Sequence, residues 1–143
     1  MRLSIFLSLL ALTACATDGS SATTTTTAAK VEPKLSAIQK AIFTPKCANV
    51  GCHGTPGPSA DLDLTEGKSH AALVGKVAQE KQPQPWKLVE PGKSAESLLY
   101  QLVAVAGNGM IGNTVRMPMG GGALTADEQA AIKAWIDAGA KND

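Results

Sequence analysis

The chain has 143 residues, with 13 basic and 12 acidic side chains and a formal charge of +1 at pH 7. Without a basic patch or an acidic tail, the composition offers no footing for nucleic acid. Only 3 % of the residues are aromatic, so a domain of this size has a thin core unless another apolar body helps to fill it.

Arg2 precedes an apolar run from Leu3 to Ala14, shorter than the about 20 residues that cross a bilayer. The run reads as a signal peptide over residues 1–14. Its end, Leu12-Thr13-Ala14-Cys15, resembles the lipobox of bacterial lipoproteins, which makes Cys15 the expected lipidation site and mature N-terminus. The alternative is an ordinary cleaved signal with Cys15 incidental. Acyl chains stabilise membrane attachment by about 0.8 kcal/mol per buried methylene, so the mature chain is expected to be anchored and not to span. Ala16 after the anchor cysteine, in place of aspartate, resembles the pattern sorted to the outer membrane of a Gram-negative cell, on its periplasmic side. Residues 15–32, with five consecutive threonines at 23–27, lack apolar periodicity and form a tether. Loss of residues 1–14 removes Arg2 alone and leaves 12 charges of each sign, so docking on a partner is expected to be weakly steered.

The folded part is expected over residues 33–143, as one all-α domain. Leu35, Ile38, Ala41 and Ile42 recur at helical spacing after Pro33, and Thr44-Pro45 is expected to end that helix. It delivers the chain into Cys47-Ala48-Asn49-Val50-Gly51-Cys52-His53-Gly54. Two thiols followed at once by an imidazole are the signature of covalent haem attachment, although the usual spacer is two residues and here there are four. Each sulfur must reach one vinyl group of the same porphyrin, and His53 must turn beneath the iron. A longer spacer can bulge outward, but Cys52 and His53 have to stay adjacent. Gly51 and Gly54 leave room for a backbone close to the ring. Zinc held by Cys47, Cys52, His53 and His70 is an alternative, against which stand the adjacency of two of those ligands and the missing second half-site. A Cys47–Cys52 disulfide is another, but it gives His53 no purpose. Three cysteines divide into one anchor and two attachment points with none left over.

Asp61, Asp63 and Glu66 are expected to cap turns or stay solvated, and a short helix follows near Ser69–Val74. Prolines at 83, 85 and 91 make the next stretch mostly loop. Ser94 offers an N-cap for a helix burying Leu98, Leu99, Leu102 and Val103, ended by glycines 107, 109 and 112. Thr125-Ala126-Asp127-Glu128 is a capping box for a last helix whose apolar face is Ile132, Trp135 and Ile136, with Gly139 as its stop.

A histidine-bound haem iron can take methionine on its other face, which raises the potential and suits electron transfer. Met117 is the first choice for that distal position, because Pro118 biases it toward extended backbone. Met119, two residues on and facing the same way, is the alternative; Met110 is a remoter one. The methionines could instead be gap-fillers of a core. His70 is a rival distal ligand, read as a solvated helix start.

From about Phe43 to Ala140 the chain resembles the monohaem class I cytochromes c, within them a bacterial group with a lengthened attachment loop. The resemblance rests on Cys47, Cys52, His53 and Gly54, on Leu73-Val74, and on Val89-x-Pro91-Gly92 leading to Ser97-x-Leu99. It extends to Met117-Pro118 and to the ending Leu124-Thr125 through Trp135-Ile136 to Gly139-Ala140. It implies N- and C-terminal helices packed around one haem c, His53 as proximal and Met117 as distal ligand. It also implies a carrier of single electrons between exported redox partners, not an enzyme. The rival functions are a haem-based enzyme or ligand sensor with a loose distal methionine, and a haem-free metal-binding surface lipoprotein.

Overall fold

The computed structural model describes residues 30–78, 86–104 and 116–143. The signal peptide, Cys15, the threonine run and Met110 lie outside them. The described part is mostly helical. Helix α1 (Leu35–Ile38) passes straight into a π-helical segment (Gln39–Cys47), followed by a single 3-10 turn (Ser59–Asp61) and α2 (Ser69–Leu73). A second 3-10 turn (Ser94–Glu96), α3 (Leu98–Val103) and α4 (Ala126–Asp137) complete it.

Buried side chains from Leu35 to Ala140 form one apolar cluster. At its centre α1 and the π-helical segment bring Ile38, Ile42 and Phe43 against Ile132, Trp135 and Ile136 of α4, all essentially fully buried. Trp135 satisfies its indole N–H on the Lys141 carbonyl at 2.8 Å. Thr125 caps α4 as expected: its hydroxyl accepts the Glu128 N–H and the Glu128 carboxylate accepts the Thr125 N–H at 2.9 Å. The opposite end of the chain caps α1. Asp143 accepts the Leu35 N–H on its carboxylate and the Ser36 N–H on its main-chain oxygen, both at 2.9 Å, which satisfies donors that a helix start otherwise leaves bare.

Several local expectations are corrected. Pro45 does not end the first helix, because the winding widens and continues to Cys47. Its last turn closes through a five-residue bond from the Ala48 N–H to the Phe43 carbonyl, a pattern that needs nothing from the missing proline N–H. Ser94 caps no α-helix; it starts a 3-10 turn, and its N–H is taken by Asp137 at 3.0 Å. The residue before α3 is Ser97, whose hydroxyl is spent on the Lys93 carbonyl and the Glu90 N–H. Helix α3 ends at Val103, before the glycines that were expected to stop it. Residues 86–90 are not free loop. Leu88 donates to Lys76 and Gly75 to Val89, while Leu98 and Leu99 donate to Lys87 and Leu88, so this extended strip ties α2 to α3 without forming a sheet among the described residues.

Candidate functional site

The Cys47–His53 loop is closed on itself by its backbone. The His53 N–H reaches the Cys47 carbonyl at 3.0 Å, and the N–H groups of Cys52 and Gly54 share the Asn49 carbonyl. The spacer bulges into solvent, leaving Val50 76 % exposed. Gly54 is required by the loop's own backbone. A Cβ there would collide with the Ala48 carbonyl oxygen. Gly51 has open space but a φ of +83°, the left-handed region that favours glycine.

His53 is half-buried and oriented by the main chain. Its Nδ1 lies 3.2 Å from the Ser59 carbonyl oxygen, which can only accept, so Nδ1 carries a proton and, in the neutral ring, Nε2 is the nitrogen with the open lone pair. A ring nitrogen fixed by a second-layer carbonyl is the usual preparation of a histidine for a metal. Ser59 is in turn tied back to the loop, its N–H on the Cys52 carbonyl and its hydroxyl on the Gly51 carbonyl. Neither Cys47 nor Cys52 is in a disulfide. Burial pushes the Cys47 thiol up to about 11, with the neighbouring Lys46 offsetting part of that rise, so it stays protonated at neutral pH.

These groups open into a cavity of about 380 Å³. Cys47, Cys52, His53 and Ser59 supply one part of its lining, and the Met117–Gly121 stretch another. Lys46, Asn49 and Gly51 border it beside the loop, and most of the remaining wall is hydrocarbon: Leu62, Leu64 and Leu73 from the first half, then Leu88, Leu99, Leu102 and Val103. Leu99 and Leu102 were expected in the core; instead both are half-buried and face this cavity. Met117 is half-buried and held by its N–H on the Leu102 carbonyl at 2.9 Å, whereas Met119 is 67 % exposed. Among the described residues no carboxylate lines the cavity.

The remaining candidates lie elsewhere. His70 is not the solvated residue expected: it is half-buried, its Nε2 donates to the Ala140 carbonyl at 2.9 Å, and it lines a separate, more polar cavity of about 580 Å³. That larger cavity holds none of the Cys-His loop, and Gln39 in its wall is already bonded to Thr44, Leu64 and Ser69. Asp63 caps the turn into α2, accepting from Thr65 and pairing with Lys68 at 2.8 Å; the Lys68 and Thr65 bonds lower its carboxyl to about 2. Among the described residues no three His, Cys, Asp or Glu side chains converge as a metal site of that type requires. The leucine lining and the Ser59 carbonyl were not anticipated. The leucines are a spacing signal split over four segments, and a carbonyl has no side-chain signature.

No family model matches the chain, and no curated protein or solved structure does so either.

Proposed function

We propose that the chain is a membrane-anchored monohaem c-type cytochrome, carrying single electrons between exported redox partners. One observation carries the reading: two thiols, an imidazole with Nε2 free and a half-buried thioether share one leucine-walled cavity. That donor set fits a covalently attached haem. Cys47 and Cys52 would hold it, His53 would be its proximal ligand and Met117 its distal one, with Met119 as the alternative. When bound, the haem supplies the one-electron couple of its iron.

The chain's own residues do the rest. The Ser59 carbonyl keeps the His53 ring in one tautomer and one orientation. The Leu102 carbonyl fixes the backbone of Met117. Leucines from four segments give the cavity an apolar wall, which would lower the local dielectric around a bound group. Zinc is disfavoured because His70 is committed to Ala140 outside this cavity. The lipid anchor at Cys15 and the exported, periplasm-facing location rest on the N-terminal sequence.

A pyridine haemochrome spectrum of the full chain, matured in a host with haem-attachment machinery, tests the proposal. The expected result is one iron per chain and both vinyl groups saturated. A colourless product, or zinc without iron, overturns it. Ferrous protein is expected to refuse carbon monoxide at neutral pH; rapid uptake would favour the sensor or enzyme instead.

A further inference from the structure

The residue before the first cysteine is pinned by a helix more than eighty positions away. Lys46 Nζ donates to both carboxylate oxygens of Glu128, at 2.6 and 2.8 Å, and the Glu128 side chain is only 12 % exposed. The same carboxylate accepts the Thr125 N–H, so it is held by the α4 cap while it grips the lysine. Lys46 lies inside the last π-helical turn, and Cys47 follows directly. The Cys47 carbonyl then takes the His53 N–H. A continuous series of bonded groups runs from α4 through Lys46 and Cys47 to the imidazole.

Resting on the haem reading above, we propose that Glu128 is a positioning residue for haem attachment: by fixing Lys46 it sets the Cys47 sulfur against its vinyl group. The step it serves is an addition. The thiol S–H crosses the vinyl C=C, a C–S bond forms at one carbon, the thiol proton ends on the other, and no oxidant or reductant is consumed. Cys52 lies on the exposed side of the loop, bonded to Asn49 and Ser59, and owes nothing to this grip. Losing the grip therefore affects one thioether, not both.

The experiment compares full chains matured in the same host, by haemochrome spectrum and by intact mass after thiol alkylation with peptide mapping. Glu128→Gln and Lys46→Met are expected to raise severalfold the product with a single thioether, its free thiol at Cys47. Lys46→Arg keeps the pair and is expected to match the parent. Thr125→Ala weakens the cap of α4 but leaves Lys46 its carboxylate, and is expected to keep both thioethers. Two thioethers in Glu128→Gln at parental yield, the same loss in Thr125→Ala, or a free thiol at Cys52 instead would each overturn the proposal. A parent chain that carries no haem at all would overturn the functional reading instead.

Discussion

Met117 and Met119 differ in what the backbone does with them. One is half-buried with its N–H on Leu102; the other stands in solvent at the cavity mouth. A thioether that must stay on a metal needs the held position. Met117→Leu is therefore expected to abolish the weak far-red band of ferric iron–thioether ligation, and Met119→Leu to spare it; the reverse would exchange their roles. His53→Ala removes the one imidazole in the cavity and is expected to yield haem-deficient protein, read by haem-to-protein ratio. Gly54→Ala drives a methyl group into the Ala48 carbonyl and is expected to cut the yield of haem-loaded protein sharply. Gly121→Ala meets only Pro118 at 3.6 Å and is expected to be tolerated. The two cysteines and His53 are legible from sequence because side-chain type and adjacency encode them. The need for Gly54 is legible only in part: its neighbour is a carbonyl six positions back, and the closure that brings it there is a property of the folded loop.

At the scale of elements, α4 was the plainest to read. Its capping box, apolar face and stop are all local, and all three are found. Thr125→Ala is expected to cost about 1 kcal/mol, and Ile132→Ala about 2–5 kcal/mol because it leaves a hole between α1 and α4. Urea titration of the parent and both variants checks this order. The first helix was read less well. Proline argues for a stop, but burial of Ile42 and Phe43 in the core cluster rewards continued winding, and a π-turn lets it pass. Helix α3 misled for a related reason. Its four apolar residues have one spacing signal, yet Leu98 and Val103 are buried while Leu99 and Leu102 are only half-buried, and Leu99, Leu102 and Val103 all wall the cavity. Periodicity marks an apolar face; it cannot say whether protein or a ligand covers it.

Across the described residues several lysines sit in ion pairs with carboxylates, Lys46 with Glu128, Lys68 with Asp63 and Lys133 with Asp137 among them. Glu128 illustrates the consequence for pH. Burial opposes its ionisation, but the hydrogen bonds from Lys46 and Thr125 outweigh that, and its carboxyl sits below the ordinary value. A depressed carboxyl contributes stability that is complete above its unfolded pKa and is lost as pH falls through the folded one. Stability of the parent is thus expected to decline as pH drops below the ordinary carboxylate range, with a shallower slope in Glu128→Gln, measured by urea midpoints across that range. On the proposed carrier reading, the near-neutral balance of charge, 12 of each sign after residue 14, predicts that electron transfer to a soluble partner changes little between low and high salt.

The clasp between Asp143 and the start of α1 brings the two ends of the folded part together, and neither Leu35 nor Asp143 borders the leucine-walled cavity. On the proposed lipoprotein reading, a body hung from residue 15 would be suspended from a handle that is separate from its mouth. On that reading, a pull transmitted to the start of α1 would load the Asp143 fastening first and leave the cavity rim at Met119 undisturbed.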